Sequence, residues 1–190
     1  MRPRSEDKKQ AILAVTLDLI SENGFHGTPM SMVAKEAKVG IGTIYRYFEN
    51  KEDLINELYR IERNKANSAM LLNYTDNLKD KEKFRLIWIN LCNYYLYHPK
   101  EFKFLEQYAY SPFLKGVNIE SFPKIIEPIV DYFRQLKMTN KLKDLSMEFI
   151  FSLSFSPIIS LVDKHLAGRV VLTQEEMEKT LNSCWDSVSN

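Results

Sequence analysis

The chain has 190 residues, 45% of them hydrophobic and 27% charged, with 26 lysines and arginines against 25 aspartates and glutamates. A chain of this size can bury about 70% of its unfolded surface, so a proper core is available, and a net charge of +1 excludes a uniformly basic coat, so any basic surface must be local. Cys92 and Cys184, far apart and without C-x-x-C or histidine spacing, exclude a disulfide scaffold and a zinc finger and read as buried free thiols.

The amino terminus, M-R-P-R-S-E-D-K-K, has no apolar segment of signal-peptide type, and no apolar run of membrane length is read farther on, so a cytoplasmic location with no membrane partner is expected. Arg2, Arg4, Lys8 and Lys9 form a basic arm. Such an arm is ordinarily just solvated, but beside a reading helix it could reach a phosphate or a minor groove.

The first helix is predicted from near Ser5. It buries Ile12, Leu13, Val15, Leu19 and Ile20 and stops at Asn23-Gly24, a helix-ending pair. A second, short helix follows, with Thr28 as its hydroxyl cap, Pro29 at its first position and Met30, Val33, Ala34 and Ala37 on one buried face. Gly40 marks a turn, after which Ile41, Ile44, Tyr45 and Phe48 share the buried side of a third helix.

The opposite side of that third helix carries Gly42, Thr43, Arg46 and Tyr47. A small residue near the helix start permits close approach to a duplex. Guanidinium and hydroxyl groups farther along are the types that read base edges in a major groove wide enough for one helix. From residue 35 to 51, four cations (Lys35, Lys38, Arg46, Lys51) face two carboxylates (Glu36, Glu49), a local excess the whole chain lacks.

A fourth helix opens at Asn50 as cap, with Glu52 and Asp53 near the positive end of its dipole, and runs through Leu54, Ile55, Leu58 and Ile61 to about Met70 as a connecting rod. Further helices are predicted near residues 81–97, 99–110, 120–136, 142–166 and 174–188, separated by His98-Pro99, S-P-F-L-K-G, the polar M-T-N-K-L-K stretch and Ala167-Gly168. The fold class is therefore all-α, with about nine helices.

Aromatic side chains concentrate between Phe84 and Phe155. The plain reading is core, since Phe84, Trp88, Leu91 and Tyr95 have helical spacing. The functional reading is a ligand pocket between helices. The helix after Leu142 is nearly apolar, F-I-F-S-L-S-F-S-P-I-I-S-L-V, so burial on more than one side and a kink at Pro157 are expected. His26, His98 and His165 lack partners at metal-ligand spacing and read as structural. Glu106, Glu127 and Glu148 read as solvated, and no metal or cofactor is implied. No G-x-S-x-G, H-E-x-x-H or phosphate loop occurs, so an enzyme is not indicated.

The segment A-K-E-A-K-V-G-I-G-T-I-Y-R-Y-F-E-N-K-E-D-L resembles the pattern A-x-x-A-G-V-S-x-G-T-L-Y-x-H-F-x-x-K-E-x-L of the TetR family of transcriptional regulators, and I-L-A-V-T-L-D-L-I-S-E-N-G-F-H-G-T extends the match upstream. It departs at Lys38 (usually Gly), Gly40 (usually a capping Ser) and Tyr47 (often His). The resemblance implies an amino-terminal three-helix DNA-binding domain with a helix-turn-helix, residues 1–62, and a carboxy-terminal helical effector-binding and dimerisation domain, residues 63–190.

It further implies that Gly42, Thr43, Arg46 and Tyr47 face bases or groove while Thr28, Lys38, Tyr45 and Lys51 hold phosphates of double-stranded operator DNA. An effector of unknown identity is expected in the carboxy-terminal domain, with Trp88, Cys92, Tyr95, Phe104, Tyr108, Phe133 and Phe151 chosen by spacing as its lining. A homodimer is expected through Ser156, Ile159, Ser160, Met177, Leu181, Cys184, Trp185 and Val188 on the last two helices. The expected activity is repression relieved by a small, largely apolar ligand. A DNA-binding dimer without an effector and a ligand-dependent activator are the alternatives.

Overall fold

The computed structural model describes residues 4–109, 111 and 124–190. Among them run nine α-helices: α1 (Arg4–Asn23), α2 (Met30–Glu36), α3 (Ile41–Tyr47), α4 (Lys51–Met70), α5 (Asp80–Tyr97), α6 (Pro99–Ala109), α7 (Glu127–Met138), α8 (Met147–Leu166) and α9 (Gln174–Val188). Arg2, the S-P-F-L-K-G break beyond Ser111 and the predicted start of the seventh helix at Glu120 lie outside the described residues. Within them, a 3-10 turn at Lys124–Ile126 leads into α7 at Glu127.

Two compact units form. The first joins the described residues up to Arg63 with α6 and Ser111; the second holds residues 64–98 and 124–190. The first unit thus takes in a helix that lies beyond a boundary drawn at residue 62. The reason is packing: α6 lies on α1, Lys100 Nζ meets Asp18 Oδ1 at 2.5 Å, and Phe104 and Tyr108 present their rings to Phe25 at 5.9 and 6.5 Å. Tyr108 also stacks on Tyr59 at 3.9 Å and donates its hydroxyl to Asn56 Oδ1 at 2.8 Å.

Local signals set the early helix ends. Gly24 adopts φ +69 and its N–H returns to the Ile20 carbonyl, closing α1 as the Asn-Gly pair predicts. Asn50 Oδ1 accepts from the Asp53 N–H at 2.9 Å, and Asp53 Oδ2 accepts from the Glu49 N–H at 3.0 Å, so the start of α4 is capped from both sides. The buried stripe of α4 is Leu54, Ile55, Leu58, Glu62, Ala66, Asn67 and Met70.

In the second unit α8 and α9 pack on each other and on α5. The core is Phe84, Ile87, Trp88, Cys92, Phe133, Ile150, Ile158, Val162, Leu181 and Val188. Trp88 Nε1 donates to the Ser154 carbonyl at 3.0 Å. The α8 helix starts at Met147 rather than at Leu142, because Leu142 is committed to an antiparallel bridge with Ser189 and Ser146 caps α8 by accepting from the Phe149 N–H. It then runs unbroken through Pro157.

Contrary to the sequence expectation, α8 is long and apolar enough to cross a membrane by length and composition. Its interspersed serines disguise that run. In this unit, instead of the expected burial on more than one side, it buries one stripe, Ile150, Ser154, Ile158 and Val162 at four-residue spacing, and packs on α5 and α9.

Candidate nucleic-acid interface

Helices α1, α2 and α3 pack mutually, and the turn between α2 and α3 is closed by Val39 N–H to Ala34 O at 3.0 Å and Lys38 N–H to Lys35 O at 3.1 Å. The left-handed residue of that turn is Lys38, with φ 55, whereas Gly40 sits at φ −68 in ordinary extended backbone. Glycine is easy at residue 38 and unnecessary at residue 40, which corrects the reading of Gly40 as the turn's conformational key. As cap of α3, Gly40 supplies no side-chain bond.

Helix α3 is anchored by Ile44 and Phe48, fully buried. Lys9 lies over the Phe48 ring at 5.8 Å and pairs with Glu57 at 2.9 Å, so it staples α1 to α4 rather than serving as a free arm. Outward from α3 face Gly42, Tyr45 and Arg46, with Thr43 and Tyr47 half-buried at the edges and Lys38 exposed in the turn. A Cβ built on Gly42 meets nothing within 4 Å, so this end of the helix offers backbone to whatever approaches. The predicted burial of Ile41 and Tyr45 is overturned: they are 43% and 53% exposed. A seven-residue helix on a small core needs only two anchors, and Ile44 and Phe48 suffice.

Two of the residues expected at phosphates are engaged otherwise. Thr28 is 1% exposed and donates its hydroxyl to the Gly24 carbonyl at 2.9 Å, while Pro29 takes the cap position of α2 without any side-chain bond. Lys51 donates its ammonium to the Phe25 carbonyl, and burial lowers its pKa. Both tie down the α1–α2 connection. Of the other predicted residues, Lys38, Gly42, Tyr45 and Arg46 are exposed and Thr43 and Tyr47 half-buried.

The residues of the expected effector lining are divided between the two units. Phe104 and Tyr108 belong to the first unit. Trp88, Cys92, Tyr95 and Phe133 are buried core of the second, where Phe133 meets Phe84 at 6.3 Å and half-buried Phe151 at 5.1 Å. Aromatic spacing along a helix reports burial and cannot separate a filled core from a pocket. A cleft of about 530 Å³ does open in the second unit, lined among others by Tyr74, Asp76, Lys83, Lys124, Asp131 and Tyr132, and its walls are charged rather than apolar.

A buried carboxylate that sequence reading passed over is Glu62, 3% exposed, with Asn67 one turn on. The signal was available, since Glu62 falls on the i+4 row of Leu54, Leu58, Ala66 and Met70.

The stripe Met177, Leu181, Cys184 and Val188, expected at a dimer interface, is buried within the single chain. Cys92 Sγ meets Met177 Sδ at 3.6 Å, for example. Ser156 and Ser160 are exposed, Ile159 and Trp185 half-buried, and Trp185 leans on the Phe84 ring at 5.2 Å. The large apolar groups that α8 leaves outside are Phe149 and Leu153, 63% and 41% exposed.

A short helix anchored by two apolar residues, preceded by a tight turn on a second helix and presenting an open glycine, a tyrosine and an arginine, defines a helix-turn-helix DNA-binding protein. Residues 12–58 match the family described as bacterial regulatory proteins, tetR family, and residues 80–189 match the tetracyclin repressor-like C-terminal domain. The chain belongs to the TetR family of transcriptional regulators.

It is 25% identical over 190 residues to an HTH-type transcriptional regulator of Haemophilus influenzae, covering 99% of both chains. It is 35% identical over 80 residues to the fatty acid metabolism regulator protein of Bacillus subtilis, covering 42% of this chain and 41% of that one. A TetR-family transcription regulator from Marinobacter aquaeolei has the same fold over 100% of both chains, with a TM-score of 0.86 at 25% identity.

Proposed function

We propose that this regulator is a homodimeric repressor that leaves a palindromic operator when a small, largely apolar ligand binds its second unit. The observation that carries the DNA half of this reading is the outward face of α3: Gly42 open, Arg46 and Tyr45 exposed, Ile44 and Phe48 holding the helix in place. One reading helix contacts too few base pairs for a selective operator. Two related by a two-fold axis, about 34–36 Å apart, read successive major-groove turns. The exposed Phe149 and Leu153 with the small Ser156 and Ser160 on α8 support self-association through that helix.

In the proposed mechanism the empty dimer holds its α3 helices at groove spacing, and ligand stabilises a state with different spacing. Helix α4 passes from the first unit to the second after Arg63 and is the continuous element able to carry the change. A coupling of about 1–3 kcal/mol lowers operator affinity about 5- to 150-fold. As a DNA-binding regulator of the TetR family, the protein is proposed to work in the cytoplasm.

Selection of bound duplexes from a random pool tests the reading: a palindromic consensus bound by a dimer supports it. Gly42→Leu is expected to abolish binding to that consensus while the circular dichroism spectrum stays helical, because the new side chain meets no neighbour but fills the space a duplex would occupy. A consensus without two-fold symmetry, or a Gly42→Leu protein that binds as well as the parent, refutes it. A melting shift with lipophilic compounds that tracks operator release supports effector control; operator binding indifferent to every compound that shifts melting favours constitutive binding.

A further inference from the structure

We infer that Ile41 is a specificity-determining residue that reads the C5-methyl group of a thymine in the major groove; the inference rests on the DNA-binding reading of α3. Periodicity assigns Ile41 to the core, yet it is 43% exposed while Ile44 and Phe48, on neighbouring rows, close the core without it. It stands one turn from Tyr45, which is 53% exposed, so the two share a strip along the helix.

Next to Ile41 around the helix is Gly42, whose missing side chain leaves open space and lets Ile41 stand proud of the backbone at that end of the helix. The polar residues around the rest of the helix are unevenly available: Arg46 is exposed, whereas Thr43 and Tyr47 are half-buried.

An isoleucine side chain has no donor and no acceptor. Among the groups that base pairs display in the major groove, the one it complements is the thymine methyl. Its β-branch restricts χ1, so little side-chain freedom is lost when it docks. Placing one methyl against it removes about one methylene equivalent of apolar surface from water. That corresponds to about a fourfold gain in affinity at one half-site and about fifteenfold at two symmetric ones.

The test uses the full-length protein and the duplex selected from a random pool. Each thymine pair related by the operator's symmetry is replaced in turn by deoxyuridine, which keeps the hydrogen-bonding groups and removes only the methyl. The expected result is one symmetric pair at which the parent protein weakens about fifteenfold. Ile41→Ala binds thymine and deoxyuridine duplexes equally, and Ile41→Val retains most of the discrimination. Because Ile41 lies outside the core, both variants are expected to melt with the parent.

Three results overturn the inference: a parent indifferent within twofold to every such replacement, an Ile41→Ala protein as methyl-sensitive as the parent, or a selected half-site without thymine. Recovery of no preferred duplex would instead overturn the DNA-binding reading beneath it.

Discussion

Lys51→Met distinguishes a lysine that grips DNA from one that holds the protein together. Lys51 opens α4, and its ammonium donates to the carbonyl of Phe25 across 26 positions of sequence, at a site buried enough to lower its pKa. A hydrogen bond from a charged donor contributes about 1.5–3 kcal/mol. Methionine keeps the aliphatic stem, so packing is largely conserved. Against the loss stands a small gain, a few tenths of a kcal/mol, because a cation at the amino-terminal end of a helix opposes the dipole.

The net expectation is a destabilisation of about 1–2.5 kcal/mol, which for a chain of this length lowers the melting temperature by roughly 2–10 °C. Melting followed by circular dichroism measures the first half. Operator affinity measured across a salt series measures the second: a phosphate contact removed from each subunit reduces the slope of log K against log salt by about 0.9 per contact, whereas a structural lysine leaves it unchanged. An unchanged melting temperature together with a shallower slope would refute the assignment and return Lys51 to the DNA surface.

Tyr108→Phe removes the hydroxyl bonded to Asn56 at 2.8 Å while keeping the ring on Tyr59, and is expected to cost about 1 kcal/mol, a few degrees of melting temperature; no change would show that this hydroxyl bond adds nothing to the hold on α6. Hydrogen bonds from Arg60 and then Lys9 hold the Glu57 carboxyl down at about 2 from an ordinary value of 4.5. A depressed carboxyl contributes stability above its unfolded value and loses it as pH falls through the folded one. With screening by solvent, the contribution is on the order of 1 kcal/mol. Urea midpoints of the parent and Glu57→Gln are therefore expected to differ at neutral pH and to converge as pH falls from about 4.5 toward 2; a gap independent of pH contradicts this. Burial pushes the Cys92 thiol up to about 12 and also raises Cys184, so an aromatic disulfide reagent at mildly alkaline pH is expected to label neither in the native protein and both in denaturant. Rapid native labelling would mean that the α5–α9 contact opens readily.

Much of the amino-terminal unit was legible in sequence because its determinants are local. Gly24 ends α1, Asn50 caps α4, and the spacing of Val33, Ala34, Ile44 and Phe48 names the inward faces from neighbours a turn away. The outward pair Gly42 and Arg46 followed from the same periodicity, whereas Tyr45, which periodicity put on the buried side, is exposed.

Only tertiary structure decided which partner each side chain finds. A lysine or threonine near a reading helix has the chemistry of a phosphate ligand, and nothing within a few residues reveals that Lys51 is bound to the Phe25 carbonyl or Thr28 to that of Gly24. The apolar row Met177, Leu181, Cys184 and Val188 demands burial, but periodicity does not say against what; here it is α5 and α8 of the same chain. Leu142 is drawn out of α8 by Ser189, 47 positions away, and Ile41 is left outside because two other residues already close a small core. A sequence fixes the faces its elements must hide or show, through propensity and period. The pairing of those faces depends on contacts between distant parts of the chain, and is settled when the chain packs.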